Sequence, residues 1–250
     1  MNKRNNLILF NRWLGCLRKL GDEKAEYWRS QLSLFETNPQ ATLLDLGCGD
    51  GNFTIMLAKK LSTSNVFGID IVDKNVEQSV VKGIKCRQVN LDSAKFPFEN
   101  DTFDAICASQ ILEHVSDTDG FIKEAYRILK PGGYIVLSTP NLASWHCMIF
   151  LIFGYQPAYC DISDEFTAAG CLIPAWAGNF EKNPGFPNHR RVFTLSSLKF
   201  FLKYHGFIVE KTAGSGYFPF PSYIARLICV IDKIHASYVA IKARKPLIRM

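Results

Sequence analysis

A chain of 250 residues, 48% hydrophobic and 21% charged, has the composition of a globular domain with an elaboration, which excludes a disordered chain. Its net charge of +6 is moderate, and no apolar run approaches the roughly 20 residues of a membrane-spanning helix. The 8 cysteines include no C-x-x-C pair and no Cys/His cluster of zinc spacing, so no metal site is expected; buried thiols in a reducing, cytoplasmic setting fit the pattern.

Residues 4–20 place Leu7, Phe10, Leu14 and Leu17 at helical spacing with Arg12, Arg18 and Lys19 elsewhere, predicting a basic amphipathic helix. The apolar LILF stops at Asn11-Arg12, too soon for a signal peptide. A second helix is expected over residues 25–35, before the turn signal Asn38-Pro39. Strands and helices then alternate: strand ATLLDLG, helix NFTIMLAKKL, strand NVFGID, helix DKNVEQSVVK, strands IKCRQVN and TFDAICAS, helix DGFIKEAYRILK closed by Pro131-Gly132-Gly133, and strand GYIVLSTP. This rhythm predicts βαβ units and a largely parallel sheet. Residues 141–190 break it, being rich in aromatics, Gly and Pro without a clean period. Order returns with helix TLSSLKFFLKYHG, strand FIVEKT, a short helix over 223–234 and strand SYVAIKA. The closing cations Lys242, Arg244, Lys245 and Arg249 read as a solvated tail, with weak contact to phosphates or an anionic membrane surface as the alternative.

Three motifs carry chemistry. Leu43-Leu44-Asp45-Leu46-Gly47-Cys48-Gly49-Asp50-Gly51 follows the first strand and opens a helix. Glycines there let the backbone turn tightly and approach a ligand. The G-x-G-x-G spacing departs from the G-x-G-x-x-G of dinucleotide sites. Asp45, at the strand end, repels a pyrophosphate but attracts the ammonium of an amino-acid ligand. Cys48 reads as a small residue that a tight turn tolerates rather than a nucleophile. Asp70 ends the second strand, about 20 residues past the glycines, where a carboxylate accepts ribose hydroxyls. Asn90-Leu91-Asp92 ends the third, with Asp92 suited to an adenine amino group and Leu91 to its ring. Helix capping is the alternative for Asp70 and Asp92.

With FPFENDTFDAICASQILEHVSD and RILKPGGYIVLSTPN, the set resembles the class I S-adenosylmethionine-dependent methyltransferases, in the type 11 group that includes ubiquinone-biosynthesis O-methyltransferase-like proteins. The likeness is strong over residues 40–140 and looser over HRRVFTLSSLKFFLKYHGF. It implies an α/β, Rossmann-like fold with a seven-stranded, mostly parallel sheet, helices on both faces and an antiparallel last strand. One domain is expected, comprising N-terminal helices (1–37), cofactor core (40–140), an inserted lid (141–190) and the rest of the core (191–250). The implied cofactor is S-adenosyl-L-methionine, not NAD. Asp45, Gly47 and Gly49, in one turn with Cys48 and Gly51, would hold its methionine part. Asp70 and Ile71 would hold the ribose, and Asn90, Leu91 and Asp92 the adenine. Ser109 and Gln110 would line the floor near the sulfonium, and His114 the rim; Glu113 and His114 are alternatively caps of the following helix.

Methyl transfer from a sulfonium is an in-line displacement with an excellent leaving group, so the shared motifs reveal the cofactor and not the acceptor. The acceptor must be read from 141–190, which holds Trp145, Tyr155, Tyr159, Phe166, Trp176, Phe180 and Phe186 with His146, His189, Arg190 and Arg191. Aromatic walls with a few polar groups suit a small organic acceptor, a metabolite, glycan precursor or lipid-linked intermediate methylated at oxygen or carbon, and a cap that packs its aromatics as a mini-core is the alternative. His189 is the expected base, with His114 second, and a plain backbone hydrogen bond is the alternative for His189. No nucleic-acid partner is expected, since no basic surface with interleaved aromatics and no N-P-P-Y tetrapeptide is present. An RNA or protein methyltransferase and a non-catalytic scaffold are the other classes.

Overall fold

The computed structural model describes residues 23–92, 95–157, 159–161 and 189–247. The helix expected over 4–20 and residues 162–188 of the insertion, with Phe166, Trp176, Phe180 and Phe186, lie outside them. In chain order the elements are α1 (Glu23–Leu32), β1 (Leu43–Leu46), α2 (Asn52–Leu61), β2 (Val66–Asp70), α3 (Asp73–Val81), β3 (Lys85–Gln88), β4 (Phe103–Ser109), α4 (Thr118–Ile128), β5 (Leu129–Pro140), α5 (Trp145–Ile152), α6 (Leu195–Tyr204), β6 (Ile208–Ser215), α7 (Ser222–Ile231) and β7 (Tyr238–Arg244).

The strands form one sheet in the order β3-β2-β1-β4-β5-β7-β6. β1 pairs in parallel with β2 and β4, β2 with β3, and β4 with β5. Lys245 exchanges backbone hydrogen bonds with Gly132 and Gly133, and the Asn141 N–H donates to the Ser237 carbonyl, so β7 runs antiparallel to β5. All four residues of β1 are buried, the mark of a central parallel strand covered on both faces. α4 turns Phe121, Ile122, Ala125 and Ile128 inward, a 3–4 spacing that keeps one stripe on the core.

Two expectations change here. The helix expected through Lys130 stops at Ile128, and β5 starts at Leu129. Pro131 disfavours helical geometry at Lys130, and Gly132 takes φ 80°, so the stretch joins the sheet and pairs with Lys245. The second is the supposed solvated tail. Lys242 is 1% exposed, and Lys245 is buried too. Lys242 Nζ meets Glu210 at 3.0 Å, also engages Glu36, and lies 4.3 Å from the Tyr134 ring centroid. Lys245 Nζ donates to Asp101, Tyr126 O and Leu129 O. Burial alone would push the Glu36 carboxyl up, but Lys242 and Arg244 outweigh it and hold it below its usual range. A charge run continuing an interior strand must find partners, because an unpaired buried cation is costly.

The chain divides into two compact units. The larger comprises Gln31–Thr139, Leu195–Thr212 and Ala240–Met250. The other comprises Met1–Ser30, Pro140–Thr194 and Ala213–Val239. Tyr217, Ala225 and Ala236 form a small core there, packed by Ile228 and Cys229. Asn141 Nδ2 donates to Ile234 O and Ala236 O, and Arg226 grips Glu26 with both ends of its guanidinium. Its α5, WHCMIFLI, falls where no period was legible; a helix apolar on nearly every side shows no alternation to read.

Candidate functional site

Strand order reverses at β1, between β2 and β4, and in open α/β sheets ligands bind in the crevice past the strand ends at that point. The glycine-rich turn leaves β1 there. The N–H groups of Gly47 and Cys48 both donate to Ile69 O, at 2.8 and 3.0 Å, tying the turn to β2. Gly47, Gly49 and Gly51 all take left-handed φ, at 74°, 54° and 79°. Their surroundings differ. A Cβ on Gly47 would lie 2.1 Å from Ile111 Cδ1, and one on Gly51 would lie 2.7 Å from Ile84 Cδ1. Around Gly49 nothing lies within 4 Å of that position. Gly47 and Gly51 are therefore packed against neighbours, and Gly49 presents bare backbone to open space.

Asp45 is buried, and Thr54 on the first turn of α2 donates to its Oδ2 at 2.6 Å. Burial pushes its carboxyl up to about 6, with Thr54 and Cys107 opposing and the charge of Asp70 adding. Asp70 accepts from Gly49 N at 2.9 Å through Oδ2, and through Oδ1 from Val72 N at 2.9 Å and Asn75 Nδ2 at 3.1 Å. It thus braces both the glycine turn and the entry to α3, and the capping alternative describes part of what it does. Ile71, next to it, is 57% exposed, an apolar surface available to a ligand.

Asp92 is exposed and accepts from Ser116 N at 2.6 Å and Ser116 Oγ at 3.2 Å, while its own N–H donates to Asn90 Oδ1. Asn90 is exposed and Leu91 half-buried. At the end of β4, Ser109 stands 3.5 Å from the Ser138 hydroxyl, and Gln110 N donates to Ser138 O. Gln110 takes a positive φ of 55°, and its buried Nε2 has no hydrogen-bond partner among the described residues. His114 is half-buried in the turn that follows, its N–H on Ile111 O.

Glu113 is not a helix cap. Asp117 caps α4, accepting from Gly120 N at 2.9 Å. Glu113 is 1% exposed, with the buried Thr139 hydroxyl beside it, and among the described residues no well-formed hydrogen bond reaches its carboxyl oxygens. Burial pushes its carboxyl up to about 8. Sequence reasoning missed Thr54, Ile111, Ser116 and the burial of Glu113. Only Thr54 left a signal, as a polar residue on the apolar face of NFTIMLAKKL.

The other unit holds His189, with its side chain 24% exposed. Its Nδ1 lies 3.1 Å from Tyr159 O, and its N–H donates to Asp161 Oδ2 at 3.0 Å. Nδ1–H donation to a carbonyl selects the tautomer in which Nε2 is the basic nitrogen. The backbone-bonding alternative thus describes one side of the ring. Nearby, His146 is buried among Phe150, Tyr159 and Phe218, and burial brings its imidazole down to about 4.

A family model described as a methyltransferase domain matches residues 20–212. The chain belongs to this family of methyltransferase domains. It is 28% identical over 224 residues to the mitochondrial ubiquinone biosynthesis O-methyltransferase of Rattus norvegicus, a match covering 83% of this chain and 58% of that one. It is 36% identical over 119 residues to the demethylmenaquinone methyltransferase of a Staphylococcus aureus strain, covering 45% of this chain and 49% of that one. The chain thus spans about half the length of these curated relatives. The solved S-adenosylmethionine-dependent methyltransferase of Mesorhizobium loti superposes with a TM-score of 0.60 at 21% identity, covering 88% of this chain and 98% of that one, and shares the fold. Among the described residues no helix is long and apolar enough to cross a membrane.

Proposed function

We propose that this chain transfers the methyl group of S-adenosylmethionine to a hydroxyl on a small hydroxylated-ring acceptor of the kind that quinone-forming routes consume. The observation that carries the cofactor half is the left-handed Gly49, open to space, with Asp70 fixed across its N–H. The first relative's name, a ubiquinone biosynthesis O-methyltransferase, supports transfer to a hydroxyl, and the names of both support a quinone-related acceptor. The cofactor supplies a methyl on a positively charged sulfur, poised for displacement. Asp45, Gly47, Cys48, Gly49 and Gly51 hold its amino-acid end, Asp70 and Ile71 the ribose, and Asn90, Leu91 and Asp92 the adenine. Ser109, Gln110 and His114 lie toward the reacting end. The insertion 141–190 supplies acceptor contacts, and His189 takes the hydroxyl proton.

Calorimetry tests the cofactor half directly. S-adenosylhomocysteine is expected to bind and NAD is not; NAD binding without S-adenosylhomocysteine binding would sink the assignment. Asp70→Ala removes ribose contacts and the brace on Gly49 together, so its affinity should fall by at least the roughly 1.5–3 kcal/mol of a charge-assisted hydrogen bond.

The glycines separate packing from binding. Either Gly→Ala forces alanine into left-handed backbone at about 1–2 kcal/mol. Gly47→Ala also collides with Ile111, so it should lower the unfolding midpoint the more of the two. Gly49→Ala meets nothing in the fold, so its main effect should be on S-adenosylhomocysteine affinity, weakened by about tenfold or more. Equal losses of stability with unchanged affinity would remove Gly49 from the binding surface.

A further inference from the structure

Cys48 and Cys86 meet across β2. Gly68 is the β2 residue in register with Cys86, and it lacks the side chain that would separate them; a Cβ on Gly68 would lie 2.9 Å from Cys48 Sγ. The Cys48 thiol therefore lies over Gly68 and reaches Cys86, with the two sulfurs 3.4 Å apart. Both are reduced, Cys48 buried and Cys86 half-buried on β3. Cys48 is also the residue between Gly47 and Gly49. We propose that Cys48 and Cys86 form an oxidative modification site, whose disulfide deforms the glycine turn and weakens cofactor binding. The proposal rests on the reading of residues 47–49 as the cofactor turn.

The oxidant is a peroxide. Cys86 is the attacking thiol, being the more exposed and held below the usual thiol range by the hydrogen bond from Cys48, while that bond and burial push Cys48 up. The Cys86 thiolate attacks one peroxide oxygen, breaking the O–O bond and leaving a sulfenic acid and an alkoxide or hydroxide that takes up a proton. Cys48 sulfur then attacks Cys86 sulfur, and the sulfenic oxygen departs as water with the Cys48 proton. Two thiols lose two electrons and the peroxide gains them. The sulfurs must close from 3.4 Å to about 2.05 Å, which drags Cys48 toward β3 and disturbs the flanking N–H groups tied to Ile69 O.

The test treats the full chain with hydrogen peroxide and maps its peptides by mass spectrometry. Calorimetry with S-adenosylhomocysteine follows before oxidation, after it, and after dithiothreitol. The expected results are a linked Cys48–Cys86 peptide, an affinity loss of about tenfold or more, and recovery on reduction. Cys86→Ser should bind as the reduced protein does and keep its affinity through peroxide treatment. Absence of the linked peptide, a linked peptide with unchanged affinity, or an equal loss in Cys86→Ser overturns the proposal. A reduced protein that binds no S-adenosylhomocysteine overturns the cofactor reading and the effect of the disulfide on binding with it, while the linked peptide still decides whether the bond forms.

Discussion

Glu113→Gln is expected to stabilise the protein at alkaline pH and to change little at pH 5. Glu113 is buried, among the described residues no well-formed hydrogen bond reaches its carboxyl oxygens, and burial, opposed by Thr139, pushes its carboxyl up to about 8. A folded-state value above the ordinary 4.5 means that the native protein holds a proton which the unfolded chain releases earlier. The stability linked to that proton is fully present below pH 4.5 and is lost as pH rises through about 8. A displacement of this size corresponds to roughly 3–5 kcal/mol. Glutamine keeps the shape and carries no titration. Urea denaturation at pH 5, 7 and 9 should therefore show a stability gap between variant and parent that opens with pH. Parallel pH curves would mean that the Glu113 carboxylate is accommodated where it lies.

His189→Ala is expected to lower turnover by about 10²–10⁴-fold with a hydroxylated-ring acceptor, with S-adenosylhomocysteine affinity unchanged. The motive is the tautomer: Nδ1 on the Tyr159 carbonyl makes Nε2 the basic nitrogen, and the Asp161 contact to the backbone N–H holds the residue in place. If His189 served only to pin its loop, His189→Gln, which retains a donor for the Tyr159 carbonyl, would restore activity. Rescue by glutamine, or full turnover in the alanine variant, would strike His189 from the chemistry.

The order and type of the sheet-forming elements over residues 40–140 were legible because local signals agreed. Strands such as LLDL and AICA are near-continuous apolar runs, the intervening helices carry a 3–4 stripe, and glycine or proline marks the joints. The cofactor turn was legible for the same reason: left-handed backbone at three alternate positions demands glycine, and glycine is visible in sequence. α5 was not legible, since a helix apolar on nearly all sides carries no period.

What the sequence by itself determined is where the acidic residues fall: Asp45 lies near the end of the apolar β1, Asp70 ends the apolar β2, and Asp92 lies four residues past the polar β3, whatever packs around them. What only the tertiary structure decided is what those groups meet. Asp70 binds Gly49 N, 21 residues away, and Asp92 binds Ser116, 24 away. Lys242 finds Glu36 across 206 positions. No local pattern encodes such pairs, because strand order is fixed by crossovers that bring distant segments side by side. The basic run at 242–245 shows the consequence: by composition it belongs in water, and by its place in an interior strand it must be buried and paired.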